Sequence, residues 1–379
     1  MKRNRLKKIV LHLLTSVLFC LAFSACGGSN ETDDGPNTNN NGGENTVMKV
    51  SILRDKTFSQ GFYVRGLGKP IYDDPIESFG QLYESRVYFK YDDETLKPSW
   101  RLCQWATRYP FHDVFNTSYE IKNDEKTFNY RYESLGNGRY IYENQSKTVE
   151  TNVPEGEVRL ALKASECYKY DRTAGQEWPH LLLEQYLCSE TDFVPATKIS
   201  DSTSIRVKLD VKMNSFTDNM GDRANPGLHS AMCLFYLFVA NLDPNTSTFT
   251  DMLWFGIPIF DNRHMFSSEA SFPDSGTKES ETDKWIFNIA STEFFDMDNN
   301  LYNLDTGEII YNEWKRVDVE LYLLIKKAFK EAQNAGYMKN AKWENLYING
   351  MYMGFELPGN YDIDMSFKNV DIELEKMED

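Results

Sequence analysis

The strongest constraint on the fold is a nine-residue alternation over Ile205–Met213, where apolar and charged side chains take turns without a break. A period of two places one face of a strand in a hydrophobic core and the other face in water. Arg159–Ala164 and Val370–Glu375 repeat the pattern more briefly. We therefore expect a chain that folds mainly as β-strands.

Two longer stretches, Ala231–Ala240 and Met252–Phe260, are continuous apolar runs rich in aromatic residues. Such runs are typical of strands covered on both faces, so both are predicted as central strands. Asp305–Gly307, between Leu301–Leu304 and Glu308–Tyr311, predicts a hairpin turn. Together the strands predict an all-β sandwich of two large sheets.

One amphipathic helix is expected late in the chain, with Gly336 as its left-handed stop. Because no linker or fixed-period repeat interrupts residues 48–379, we expect them to form a single domain. The apolar positions at helical spacing are Leu321, Leu324, Ile325, Ala328, Ala332 and Ala335.

The start of the chain carries targeting features rather than a fold. Residues 1–25 combine a cationic start, a short apolar run over Ile9–Phe23 and small residues before Cys26, which is the pattern of a cleaved signal peptide. The apolar run is shorter than a membrane span. Residues 26–47 are dominated by Gly, Asn, Thr, Pro and acidic residues, so they are predicted to form a flexible tether.

The cysteine after the cut site resembles that of bacterial lipoproteins, and Gly27–Asp34 resembles the acidic patch of surface-exposed lipoproteins of the Bacteroidota. The resemblance implies that Cys26 is acylated. It also implies an outer-membrane lipoprotein whose folded part faces outward from the cell surface, with exposure at the periplasmic face as the alternative. An ordinary signal peptide with an incidental cysteine is the alternative.

The formal net charge of −16 argues against a nucleic-acid partner, because a polyphosphate is repelled by an acidic protein. No basic stretch with interleaved aromatic residues occurs after the signal peptide. Neutral polysaccharides and cationic partners are electrostatically easier to bind.

Four cysteines remain once Cys20 and Cys26 are set aside. No two of them have CxxC spacing, and the residues around them are typical of strands. We therefore favour buried free thiols, with disulfide bonds as the alternative. The four are Cys103, Cys167, Cys188 and Cys233.

Metals and cofactors are not expected, because the histidines lack zinc-binding spacing. Asp296–Asn300 begins like a calcium loop, but Leu301 stands where a glycine is needed. We interpret this segment as a solvated turn, with a structural calcium left open.

Glu177–Gln185 holds the first candidate site, with Trp178 at its start. On a strand, His180 and Glu184 share one face, so an imidazole and a carboxylate could line one groove. A retaining glycosidase needs two carboxyl groups about 5–5.5 Å apart, so Glu184 would need a partner such as Glu356 from another strand. A core polar pair satisfied by backbone groups is the alternative.

Met252–His264 holds the second candidate site. Trp254 could stack on the apolar face of a sugar ring. Asp261 and Arg263 would then bind hydroxyl groups at the rim, or they form an ion pair that pins the loop.

Val153–Ala164, a glycine followed by an alternating Leu-x-Leu strand, is similar to the strand that opens the core of concanavalin A-like jelly rolls. Gly350–Glu356, Gly359 and the closing strand Phe367–Leu374 resemble the way such domains end. The chain thus resembles the lectin and glucanase superfamily, which implies a jelly roll that handles glycans in a polysaccharide-utilisation system. The catalytic motifs of family 16 glucanases and of jelly-roll alginate lyases are absent.

These features predict a surface lipoprotein that binds poly- or oligosaccharides without catalysis. A glycoside hydrolase or polysaccharide lyase using Glu184, His180 and Glu356 is the first alternative, and a structural or adhesive surface protein is the second. Contact with the membrane is expected through the lipid anchor only, and outer-membrane transport proteins are further expected partners. The predicted binding residues are Trp178, His180, Glu184, Trp254, Asp261 and Arg263.

Overall fold

The strands of the computed structural model fall into two sheets. The structure describes residues 47–67, 87–89, 98–105, 109, 111, 131–187, 198–247, 251–274 and 284–377. The predicted signal peptide, Cys26, nearly all of the predicted tether and Cys188 lie outside these ranges. The strands are β1 Val47–Ser51, β2 Phe62–Leu67, β3 Val87–Phe89, β4 Trp100–Trp105, β5 Arg131–Gly136, β6 Arg139–Glu143, β7 Lys147–Asn152, β8 Glu157–Lys163, β9 His180–Tyr186, β10 Ser204–Asp218, β11 Met232–Asn241, β12 Met252–Asp261, β13 Ala270–Pro273, β14 Trp285–Asn288, β15 Trp314–Glu320, β16 Leu346–Glu356 and β17 Tyr361–Met377.

In the described ranges two α-helices accompany them: the single turn α1, Ala164–Cys167, and the longer α2, Tyr322–Ala335. Short 3₁₀ turns cover Val153–Glu155, Ile199–Asp201, Gly221–Arg223, Ser291–Glu293 and Trp343–Asn345. Among the described residues no helix is both long and apolar enough to cross a membrane.

The eight-stranded sheet has the order β15-β10-β17-β8-β7-β6-β5, and β1 also pairs with β17. The nine-stranded sheet has the order β13-β14-β12-β11-β16-β9-β4-β2-β3. Neighbours are antiparallel, apart from the parallel pairs β12–β14 and β2–β4. The fold is therefore the predicted all-β sandwich of jelly-roll type with one late amphipathic helix.

The inner faces of the two sheets form one hydrophobic core, and the alternation in β10 is confirmed. Every second side chain of β10 from Ile205 to Met213 has no exposed surface, while the charged residues between them face outward. The runs predicted as central strands are β11 and β12. Half of their side chains enter this core, and the other half form a second apolar cluster on the outer face of the nine-stranded sheet.

The late helix ends as predicted, because Gly336 adopts a left-handed φ of 98°. The predicted hairpin around Asp305–Gly307 is only partly correct. The turn forms, but a single antiparallel bridge between Tyr302 and Ile309 replaces two flanking strands. Asn303 accounts for this, because its side chain accepts two backbone N–H groups of the turn, which sets a local loop instead of a ladder.

The two ends of the sandwich are distinct. At the β1 end, Val47 lies opposite Met377 in the register of β1 and β17. At the crossover end, residues 357–360 carry the chain from β16 in one sheet to β17 in the other.

The cysteines that the structure describes are Cys103, Cys167 and Cys233, and all three are buried thiols. The thiol of Cys103 lies 3.5 Å from Glu184 Oε2.

Lys147 is a buried ammonium group whose titration should be visible in the stability of the protein. Its Nζ donates to the backbone oxygen of Tyr109 at 2.6 Å and contacts Ser146 Oγ at 3.3 Å. Burial lowers the pKa of Lys147 from 10.5 to about 8, against a smaller opposing effect of Cys167. Between these two values the unfolded state holds more protons than the folded state, so stability from this group rises with pH.

We predict that the Lys147→Met substitution increases the free energy of unfolding less at high pH than at neutral pH. The difference in unfolding free energy between variant and parent should fall by about 3 kcal/mol as pH rises from below 8 to above 10.5, since one pKa unit is about 1.4 kcal/mol. Urea unfolding of both proteins across this range measures it. Parallel stability curves would show that the Lys147 ammonium is not perturbed.

Candidate functional site

The outer faces of the two sheets differ in chemistry. The outer face of the eight-stranded sheet is a network of ion pairs between neighbouring strands, whereas the outer face of the nine-stranded sheet carries aromatic side chains. Exposed ion pairs keep a face hydrated and contribute little affinity for a ligand, so the nine-stranded sheet holds the candidate site. The ion pairs are Arg159–Asp364, Arg159–Glu150, Lys208–Glu373, Lys212–Glu157, Arg206–Asp318 and Arg316–Asp210.

Strand register fixes which side chains meet on this outer face, because directly paired residues of adjacent strands share a face. Two rows of residues, here called the aromatic rows, run across β9, β16, β11 and β12. The first row is Glu184, Tyr352, Tyr236 and Gly256, and the second is Tyr186, Gly350, Phe238 and Trp254.

Trp254 lies at the centre of the aromatic contacts. Its ring centroid is 4.7 Å from Phe238, 5.6 Å from Tyr352 and 6.2 Å from Tyr236. Edge-on and tilted pairs at these distances are stabilising arrangements for aromatic rings. Trp254 is half-buried, as is Tyr352, while Tyr236 and Phe238 are buried.

Glycines make room for these rings. A Cβ on Gly256 would come within 2.1 Å of Asn288 Oδ1 and 2.7 Å of Tyr236 Cε1. A Cβ on Gly350 would come within 2.8 Å of Phe238 Cδ2. The absence of a side chain at these two positions therefore leaves the space that Tyr236, Asn288 and Phe238 occupy.

Two polar atoms beside the rings, Trp254 Nε1 and Asn288 Oδ1, are buried and find no hydrogen-bond partner among the residues that the structure describes. They are a donor and an acceptor on the adjacent strands β12 and β14. An unsatisfied buried polar atom costs about 1–3 kcal/mol, so the cluster is not arranged for stability alone.

A third row, here called the polar row, lies at the crossover end of the same face. Across the four strands it consists of His180, Glu356, Met232 and Asp261.

Glu356 is the centre of hydrogen bonding in the polar row. Its carboxylate accepts from Trp178 Nε1 at 3.2 Å and from the Tyr352 hydroxyl at 3.3 Å, and His180 Nε2 lies 3.6 Å away. Burial favours the neutral acid, but His180 and the hydrogen bonds from His180, Trp178 and Tyr352 lower the pKa of Glu356 below its usual value. Glu356 is thus kept ionised, and both of its carboxylate oxygens accept hydrogen bonds.

Trp178 is fixed in place by its neighbours. Its ring stacks on His180 with 5.6 Å between centroids, and the Arg172 guanidinium carbon lies 4.7 Å from the ring centroid. These contacts orient the indole N–H toward Glu356.

Asp261 and Arg263 form the predicted ion pair that pins the loop after β12. Arg263 Nε donates to Asp261 Oδ1 at 2.8 Å, and Nη2 donates to Oδ2 at 2.6 Å. Arg263 also donates to the backbone oxygen of Pro226. The loop is therefore rigid at the rim of the polar row.

Glu184 and Glu356 do not meet. Glu356 lies opposite His180, four residues along β9 from Glu184, which corresponds to about 13 Å. Glu184 also interacts in the other direction, with Arg101 Nη1 on β4 at 3.5 Å. The distance of about 13 Å separates the two strand positions at the backbone, whereas a retaining glycosidase holds its two carboxyl groups about 5–5.5 Å apart.

The structure places all six predicted binding residues on or beside one face, in two groups. Trp178, His180, Asp261 and Arg263 belong to the polar row or contact its end, whereas Glu184 and Trp254 belong to the aromatic rows. Sequence reasoning did not single out Tyr236, Phe238 and Tyr352. The signal was the spacing of two between Tyr236 and Phe238, which places both on one face of β11; the packing of the two sheets makes this the outer face.

Asp296 caps its own loop, since its Oδ1 accepts the N–H groups of Asp298 and Asn299. In the described ranges no three His, Cys, Asp or Glu side chains converge as a metal ion would require.

No family model matches the chain, and no curated protein matches it. Solved structures are similar at low identity. The endoglucanase cel12A from Rhodothermus marinus is 8% identical, with a TM-score of 0.34 over 66% of this chain and 97% of that one. A family 12 xyloglucanase from Bacillus licheniformis is 10% identical, with a TM-score of 0.35 over 65% and 99%. A family 11 xylanase from Neocallimastix patriciarum is 10% identical, with a TM-score of 0.29 over 65% and 95%.

We predict that Gly256→Ala disrupts the aromatic rows, because the new methyl group displaces Asn288 and Tyr236. Unfolding in urea should show a loss of about 1–3 kcal/mol, with a changed near-ultraviolet circular dichroism of the aromatic residues. Gly227→Ala is the control, since its Cβ would approach nothing closer than 3.4 Å. Equal stabilities of the two variants would contradict the packing described here.

Proposed function

We propose that the protein is a surface lipoprotein that binds glycans on the outer face of its nine-stranded sheet without cleaving them. The observation that carries the proposal is the pair of aromatic rows, with the polar row beside them on the same face. Aromatic rings stack on the apolar faces of sugars, and a few fixed polar groups beside them orient the hydroxyls.

The arrangement of the carboxylates supports binding rather than catalysis. Glu184 and Glu356 lie too far apart along the sheet to act on one bond as nucleophile and acid. The oxygens of Asp261 are engaged by Arg263, and those of Glu356 by Trp178 and Tyr352. Groups held in this way orient a ligand, but a proton-transferring acid must be able to release its proton to the substrate.

Two alternatives make different demands. A hydrolase or lyase requires turnover that depends on Glu184, His180 or Glu356. A structural or adhesive surface protein requires no glycan affinity at all.

We predict that Trp254→Ala weakens glycan binding by about 1–3 kcal/mol, because the central ring of the aromatic rows is removed. The mature chain, residues 26–379 with Cys26→Ala to keep it unlipidated, is screened on a glycan array. The strongest neutral oligosaccharide is then titrated calorimetrically. Trp314→Ala is the matched control, since Trp314 lies on the outer face of the other sheet beside Lys212 and Lys368.

The same samples are assayed for new reducing ends and for unsaturated products. Glu184→Gln and Glu356→Gln should change affinity only modestly, and the parent should show no turnover. Bond cleavage abolished by either variant would establish the hydrolase or lyase instead. Unchanged affinity in Trp254→Ala would remove this face as the binding site, and no affinity for any glycan would favour the structural alternative.

The lipid anchor rests on residues 1–47 and has its own prediction. Cys26→Ala in the full chain should move the protein from the membrane fraction to the soluble fraction, because no acyl chain can be attached. Surface exposure is measured by protease treatment of intact cells. Retention of Cys26→Ala in the membrane fraction would contradict lipidation at this residue.

A further inference from the structure

The β1 end carries a lysine-rich surface on an otherwise acidic protein. On α2, Leu323, Lys326, Lys327 and Lys330 are all exposed, and the adjacent pair Lys326 and Lys327 lies three or four residues from both Leu323 and Lys330. This spacing places them on one outward stripe of the helix. Exposed lysines at positions 339 and 342 follow in the loop after the helix.

Four of these lysines, at positions 326, 330, 339 and 342, form no ion pair with any part of the chain that the structure describes. The sheet surfaces behave differently, because lysines and arginines such as Lys208 and Arg159 are paired with carboxylates there. Lys327 on the helix is paired with Glu269. Two acidic residues lie in the same segment: Glu331, which accepts from Ser271, and the exposed Glu344.

Backbone contacts place this segment at the β1 end. The N–H of Leu321, which precedes α2, donates to the oxygen of Ile205, and Ile205 lies opposite Leu374, which also pairs with Val50 of β1. After the helix, Tyr347 at the start of β16 forms a bridge with Lys198, just before β10. Both ends of the lysine-rich segment are thus tied to the part of the sandwich where the described chain begins.

Apolar and aromatic groups lie among the lysines. Leu323 is 73% exposed, which is unusual for a leucine on a helix packed against a core. Trp343 is half-buried between Tyr322 and Lys326, with 5.6 Å from its ring centroid to Lys326 Nζ and 5.6 Å to the Tyr322 ring centroid. Cationic side chains beside exposed leucine and half-buried tryptophan are typical of surfaces that rest on lipid headgroups.

We infer that this surface, formed by Leu323, Lys326, Lys330, Lys339 and Lys342, docks on anionic phosphate-bearing headgroups of the membrane to which the chain is anchored. Only residues 27–46 separate Cys26 from Val47, so the β1 end is the end nearest to the proposed anchor. The net charge of −16 repels the rest of the molecule from such a membrane. Attraction at one end and repulsion elsewhere therefore hold the protein upright, with the crossover end facing away from the membrane.

The inference rests on the proposed lipid anchor for the choice of membrane, but its test does not use the lipid. The unlipidated mature chain with Cys26→Ala is sedimented with vesicles of phosphatidylcholine, with or without phosphatidylglycerol as the anionic component. We expect binding only to the anionic vesicles, and loss of binding when salt is raised.

Charge variants at exposed positions locate the surface without threatening the fold. Lys326→Gln with Lys330→Gln, and separately Lys339→Gln with Lys342→Gln, should each lower vesicle partitioning about thirtyfold, since a lysine near an anionic surface contributes about fivefold. Lys163→Gln with Lys169→Gln at the crossover end is the charge-matched control and should change partitioning less than twofold.

Equal binding of the parent to neutral and anionic vesicles, no binding to either, or unchanged binding of both lysine variants would overturn the inference. The outcome is separate from glycan binding, which is measured on the unlipidated chain without vesicles. It is also separate from the fate of Cys26→Ala in cells, which reports on the acyl chain.

Discussion

The pairing of β17 with three other strands is the constraint on which the rest of the structure depends. β17 pairs with β10 along one edge and with β8 and β1 along the other. The short crossover from β16 then brings the nine-stranded sheet over it. Because β17 crosses the whole sandwich, its register determines where both sheets lie relative to the core.

Within β17 the residues that face the core change from odd-numbered to even-numbered positions, yet the strand stays paired with its neighbours. Ile363, Met365 and Phe367 face the core, but beyond them the even-numbered residues Val370 and Ile372 do so. The change occurs at a bulge, where Asn369 adopts a left-handed φ of 52° and donates to Asp210. A bulge inserts one residue on one strand, so the inward face is restored after it.

More of the fold than of the candidate site could be predicted from the sequence. The alternation of Ile205–Met213 determines the inward residues of β10, since a period of two leaves no other choice once one face is buried. The inward and outward halves of β11 could not be told apart, because Cys233, Phe235, Leu234 and Tyr236 are all apolar. Which half meets the other sheet depends on pairing with β12 and β16, and therefore on contacts distant in the chain.

The site shows the same division. That His180 and Glu184 share a face follows from their spacing alone. The approach of Glu356 to His180, rather than to Glu184, depends on the register of β16 against β9, which no local pattern specifies. The hydrogen bonds of Glu356 then arise from Trp178, before β9, and from Tyr352, four residues earlier on its own strand.

The length of β17 also separates the polar row from the lysines of α2. Its seventeen residues extend over about 55 Å, with the polar row near one end and the lysines of α2 near the other. Charges in water are screened over about 8–10 Å at physiological salt. A headgroup bound at the β1 end therefore leaves the potential at the polar row unchanged.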